Sequence, residues 1–157
     1  MTKILLILHV LAAIVAVGPV TVAASMFPPA ARRAHQDAGA GTTGAEVSTV
    51  RLLHRVCRVY GAVGLAVPVL GFATASAMGV LGSGWLITSI ALTAAAAGLL
   101  IAFVLPRQDE LVEQVAAGRP VERAATVQLA MFTGLFNLLW ATVTVLMVIR
   151  PGSSTGA

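Results

Sequence analysis

Charge is scarce in this chain, and acidic charge is scarcest. Of its 157 residues 10% are charged, against about 25% in a soluble domain. Its six carboxylates are Asp37, Glu46, Asp109, Glu110, Glu113 and Glu122, and between Val59 and Pro106 there is no charged residue at all. A carboxylate buried in an apolar segment is the usual mark of an ion-coupled transporter, so that class is disfavoured. Cysteine occurs once, as Cys57, which excludes an internal disulfide and a cysteine metal cluster. The carboxylates near Glu110 have no His or Cys at ligand spacing, so no metal site is expected. Gly79–Gly84 lacks the lysine of a phosphate-cradling loop. Only Ser89 has a histidine within plausible reach, His9, and that pair lacks an orienting carboxylate. Soluble enzyme classes are thereby set aside.

What the chain has instead is apolar sequence. It is 58% hydrophobic, with a mean hydropathy of +0.93. The stretch Ile4–Phe27 carries one titratable group, His9. As a helix it would reach about 36 Å, enough to cross a hydrocarbon core of about 30 Å. Three more such segments follow, at about 59–78, 85–105 and 124–149, with Gly79–Gly84 as the turn of a tight hairpin. The expectation is an all-α bundle of four transmembrane helices forming one integral membrane domain over 1–157.

The basic residues orient it. Nine of the ten are arginine, which with abundant Ala and Gly suggests a bacterium with a GC-rich genome. Eight of the ten fall in or beside the first and third loops, leaving only Lys3 and Arg150 for the other side. The positive-inside rule then puts loops one and three in the cytoplasm and both termini outside the cytoplasmic membrane. Lys3, the apolar run and Ala23-Ala24-Ser25 resemble a cleavable signal, but cleavage would push the arginine-rich loop outward, against that rule.

Loop one opens with Pro28-Pro29, expected to stop or kink the first span. Gly39–Gly44 reads as a flexible link, and Thr43 with Glu46 fits a capping box that starts a helix running into the second span. On that helix Arg51, His54, Arg55 and Arg58 share a face by spacing. They are read as an anchoring stripe for anionic lipid headgroups of the inner leaflet, or as a contact for an acidic partner. Loop three predicts a short amphipathic helix over 108–117, ended by Gly118-Arg119-Pro120. Nucleic acid is not expected, because the basic residues sit in short loops.

Small residues recur at three- and four-residue spacings in every span. The stripes are His9, Ala13, Ala16, Ala23; Cys57, Gly61, Gly64, Pro68, Gly71, Ala75, Met78; Ala91, Ala95, Gly98, Ala102; and Ala130, Gly134, Asn137, Ala141, Thr144. Such residues let helices approach closely in lipid, so each stripe is expected to face inward. Asn137 is expected to make an interhelical hydrogen bond. His9 lies on the inner stripe near the outer end of the first span, at the depth expected for Ser89 and Thr144, with Met78 slightly nearer the surface. Two readings stand. One is a neutral imidazole hydrogen-bonded to Ser89 or Thr144. The other is a ligand or proton relay for haem or quinone, with Met78 as a second iron ligand. His54 is at the opposite end and cannot share that site.

Three stretches carry a family resemblance: the opening Lys3-Ile-Leu-Leu-Ile-Leu-His9-Val-Leu-Ala-Ala13, Gly84-Trp85-Leu-Ile-Thr-Ser-Ile-Ala-Leu92, and Leu146-Met-Val-Ile-Arg-Pro151. In order and spacing they resemble domain-of-unknown-function family 2269, bacterial predicted integral membrane proteins, over nearly the whole chain. The resemblance implies a four-span bundle with a first-helix histidine and no assigned reaction. A looser similarity is to small haem-carrying membrane proteins such as the membrane protoporphyrinogen oxidase, which would imply haem b at His9. The functional expectation is a non-enzymatic accessory or scaffold subunit that binds lipid or a partner membrane protein. A redox protein using His9 and an oligomeric small-molecule channel or exporter are the alternatives.

Overall fold

The computed structural model describes residues 2–36 and 44–152, apart from the side chain of residue 35. These residues form α1 (Thr2–Gln36), α2 (Gly44–Val63), α3 (Ala66–Met78), α4 (Gly84–Leu99), a π-helical turn (Leu100–Val104), α5 (Leu105–Ala116) and α6 (Arg123–Ile149). The link at 39–44 and the capping role of Thr43 fall on or beside residues 37–43, outside the described residues.

Four helical runs, 2–34, 44–78, 84–116 and 123–149, are long and apolar enough to cross a membrane. Their outer surface agrees with that. Val148 is 78% exposed, Val69 69% and Leu138 64%. Apolar side chains displayed on this scale need lipid around them.

α1 is the central element. It packs along α2 and α3, and also against α6; α4 packs on α6, and α5 returns to meet α2. Pro28 and Pro29 do not stop α1, which continues to Gln36. A proline removes one backbone bond, and packing around it keeps the helix going. Here Ala24, Phe27 and Ala31 are fully buried on either side of the prolines.

Two further departures come from proline. The second span does not run unbroken from α2. Pro68 has no N–H and crowds the carbonyl four residues back, at Gly64. The chain breaks there into a tighter turn, in which Leu65 N–H donates to Ala62 O at 3.1 Å and Val67 N–H to Gly64 O at 3.1 Å. The third span does the reverse. The third span was expected over 85–105 with a separate short helix at 108–117, yet α4, the π-turn and α5 form one continuous run. Leu105 N–H reaches back five residues to Leu100 O, widening the helix just before the proline ring.

The turns follow sequence. Gly79 takes φ 69°, and Val80 N–H bonds Ala75 O at 3.1 Å, closing α3 with a left-handed cap. Gly118 takes φ 64°, with Arg119 N–H on Gln114 O at 2.9 Å, and this stops α5.

The small-residue stripes face inward in two spans only. Ala16, Ala23, Cys57 and Ala75 are buried, whereas Ala91, Ala95, Gly98, Ala102, Ala130, Gly134, Ala141 and Thr144 are exposed. In α6 the buried line is Thr126, Leu129, Thr133, Phe136 and Val143. It precedes the expected one by one residue, a rotation of about 100°. In α4 the buried residues include Ser89, Ala96 and, in the π-turn, Leu100, on nearly the opposite face. Bulk decides this. Phe103 meets Phe132 across the helices with tilted rings whose centroids are 5.0 Å apart, and Leu100, Leu129 and Phe136 share one buried cluster. Small residues permit close approach but gain little dispersion energy where larger side chains can interdigitate.

The tightest packing lies at the arginine-bearing end. Phe27, Ala31, Ala34, Val50, Val104, Leu111 and Leu129 are all at most 2% exposed and form one cluster. At the other end a smaller cluster joins Ala75, Trp85 and Leu86.

Candidate functional site

Histidine marks both ends of the bundle. His9, half-buried on α1, lies flat against α3 where Gly71 offers no side chain; a Cβ there would stand 2.9 Å from His9 Cε1. Its Nδ1 is 3.0 Å from Val67 O. A carbonyl only accepts, so Nδ1 carries the hydrogen of this bond, and in the neutral tautomer this selects, Nε2 is the acceptor. The expected partners are engaged elsewhere: Ser89 Oγ donates to Trp85 O at 2.8 Å and Thr144 Oγ1 to Trp140 O at 2.9 Å. Each bonds within its own helix, where a hydroxyl finds the i−4 carbonyl without any tertiary contact. Met78 is half-buried and begins about 10 Å further along α3 than Gly71.

His54 was expected on the surface with Arg51, Arg55 and Arg58. Those three arginines are exposed, but His54 is 7% exposed and turns into the bundle. Its Nδ1 lies 3.1 Å from Gln108 Oε1 on α5. The Gln108 amide in turn donates through Nε2 to Cys57 Sγ at 3.6 Å. On the other side of the ring, Nε2 is 2.8 Å from Asp109 Oδ1. The result is a chain Cys57–Gln108–His54–Asp109 that ties α2 to α5. Gln108 and Cys57 are fully buried, so the thiol is shielded from solvent nucleophile chemistry. No group of three metal-ligating side chains occurs among the described residues.

The sequence singled out His54 without its partners. His54 and Cys57 sit one turn apart on α2, and Gln108 opens the polar stretch of α5. The missing information was the continuity of the third span, which brings Gln108 back to α2.

The outer side of α2 carries an open groove lined by Gly44, Val47, Ser48, Arg51, Leu52 and Arg55. Midway along the bundle a narrow apolar cleft is lined in part by Tyr60, Gly64, Pro68, Leu100, Phe136 and Trp140. It falls where the second span breaks and the third widens. Asn137 makes the expected interhelical bond, donating Nδ2–H to Ser25 Oγ of α1 at 3.2 Å.

A family described as predicted integral membrane protein (DUF2269) matches residues 3–151. The chain belongs to that family. The stretches quoted above, from Lys3 to Pro151, fall within the matched range, as do the four long apolar helices apart from Thr2. No curated protein and no solved structure matches the chain. The family description thus supplies the membrane location and no reaction, and the chemistry has to be read from the two histidine sites and the arginine groove.

Proposed function

We propose that this protein is a non-enzymatic accessory subunit of the bacterial cytoplasmic membrane that holds anionic lipid headgroups on α2. The observation that carries this is the groove at Arg51 and Arg55, with Leu52, 60% exposed, between them. Guanidinium groups one turn apart suit a phosphate, and an exposed leucine beside them suits the acyl region just below. Arg58 extends the same basic face by another turn.

In this reading loops one and three are cytoplasmic and both termini lie outside. The polar-faced segments of α2 and α5 act as short amphipathic helices at the inner surface. The contact of α5 with α2 supports a common side for both loops. The test is lipid retention by native mass spectrometry from nanodiscs containing anionic and zwitterionic lipid. Enriched anionic lipid that is lost in the Arg51→Gln/Arg55→Gln/Arg58→Gln variant is the expected result. Equal retention in that variant would remove the proposal.

One observation favours a second reading, a haem or quinone site at His9. Histidines that ligate metals commonly donate their other ring N–H to a carbonyl, and His9 does so to Val67 O. The free Nε2 is the atom that would ligate iron or accept a quinol hydrogen bond. A visible spectrum of the purified protein, oxidised and dithionite-reduced, decides the haem branch: a Soret band lost in His9→Leu supports it, and a colourless protein from haem-supplemented cells removes it.

A further inference from the structure

We infer that the apolar cleft between α3 and α4 is a lateral lipid site, which takes one hydrocarbon chain of a phospholipid from the side of the bundle. The cleft exists because α3 and α4 follow each other in sequence without packing on each other along their length. α3 packs on α1, and α4 on α6. The two meet at the hairpin tip, where Ala75 shares a buried cluster with Trp85 and Leu86. Beyond the tip they part, with Gly64 and Pro68 on one wall and Ala97 and Ile101 on the other. Ala16, Val20 and Phe136, all buried, close the back. Leu100 closes the far end, as part of the large cluster that continues to Val104 and Leu129. The cleft is therefore open sideways, and the helices around it are those long and apolar enough to cross a membrane. Whatever enters it comes from the bilayer.

Chemistry and size select the chain of a lipid. Leu65 and Ile101 stand exposed at the rim, so nothing there attracts a charged headgroup. The lining is apolar apart from Tyr60, Thr93 and Trp140, and the Thr93 hydroxyl already donates to Ser89 O at 2.7 Å. A water molecule held in such a place needs about two to four polar partners. The cavity volume is about 60 Å³. A cavity that takes a benzene ring measures about 150 Å³, so this one excludes flat ring systems. A helix, about 10 Å across, is wider still. A methylene chain is narrow enough, and it restores the dispersion contacts that facing walls lose across an empty slot.

The slot is held open by backbone. The tight turn at 64–67 borders it on one side and the π-helical turn Leu100–Val104 on the other. The site goes beyond the arginine groove, since neither Arg51 nor Arg55 lines it and it needs no particular headgroup.

The test is photolabelling of the full chain in nanodiscs. The probe is a phosphatidylcholine with a diazirine midway along one chain, diluted into unlabelled phosphatidylcholine. Adducts mapped by mass spectrometry should be about fivefold denser on Leu65, Ile101 and Trp140 than on Val69 and Leu138, their outward-facing neighbours. Labelling of the cleft should saturate as the labelled fraction rises, while labelling of Val69 and Leu138 climbs in proportion. Saturation is read on the unaltered protein, so it decides the matter even where a variant does not fold. Ala97→Phe, which fills the slot from α4, should remove the excess and leave Val69 and Leu138 labelled as before. Labelling that follows exposure alone without saturating, or an excess that persists in Ala97→Phe, would overturn the site. An unlabelled cleft in a protein that runs as a dimer by native mass spectrometry would overturn it too, by showing a second copy in the lipid's place.

Discussion

Gly71 and His9 fit as flat surface and flat ring. The α3 backbone at Gly71 comes close enough that a single added carbon would stand 2.9 Å from His9 Cε1. The imidazole reaches Val67 O only because that carbon is missing.

Gly71→Ala should therefore displace the ring and break its bond to Val67 O. A loss of about 1–3 kcal/mol is expected, as for overpacking combined with a lost buried bond. Gly98→Ala and Gly134→Ala serve as contrasts, since a Cβ there meets nothing within 4 Å. They should stay within about 0.5 kcal/mol of the parent. Denaturation in mixed micelles measures all three, and equal loss across the set would contradict the packing.

Gly64 sets a second steric limit, at the break between α2 and α3. A Cβ there would lie 3.0 Å from Gly61 O and 3.3 Å from Tyr60 O. These are backbone atoms of the same chain and cannot swing aside. Gly64→Leu is expected to reduce the folded yield, read as monodisperse protein after extraction. An unchanged yield and melting temperature would show that the break tolerates a side chain.

The Ser25–Asn137 pair joins α1 to α6. Asn137→Leu should cost about 0.6 kcal/mol, near the average for such bonds in lipid. The cost is held down because Asn137 Oδ1 is buried without a partner among the described residues, so the substitution also removes that penalty. A double-mutant cycle with Ser25→Ala measures the coupling, and no coupling would mean that the 3.2 Å contact carries no energy.

Gln108 has the most demanding surroundings of the polar side chains. Gln108→Leu leaves His54 Nδ1 without its acceptor and Cys57 without its donor, inside a fully buried site. A cost of about 1–3 kcal/mol is expected, from the unmet imidazole. The combined His54→Leu/Gln108→Leu variant should recover part of it, because both polar partners are then gone. Thermal unfolding of the two variants provides the comparison.

Hydropathy was enough to place the four helical runs, because lipid exposure leaves a strong compositional mark. The turn glycines Gly79 and Gly118 were also legible, since positive φ is a local demand. Which side of a helix faces inward was not. In α4 and α6 the choice depends on aromatic and leucine side chains meeting across helices, and small-residue spacing says nothing of where those partners lie. Proline does not act by one rule: Pro28 and Pro29, read as a stop or kink, lie inside α1. Pro106 lies within a continuous helix because the turn before it widens, while Pro68 sits beside a break. Asn137 was read correctly in kind, though its partner Ser25 lies 112 residues away. His54 was read as a surface group because three exposed arginines surround it in sequence.

The π-turn before Pro106 acts as a phase shifter between two halves of one helix. One extra residue in a turn rotates everything beyond it by about 100° without breaking the rod. α4 can therefore choose its packing face against α6 while α5 independently aims Gln108 and Asp109 at His54. Deleting one residue within Leu100–Val104 would keep the helix and its length almost intact. It would swing those two side chains away from the ring, uncoupling the ends of the molecule without touching either of them.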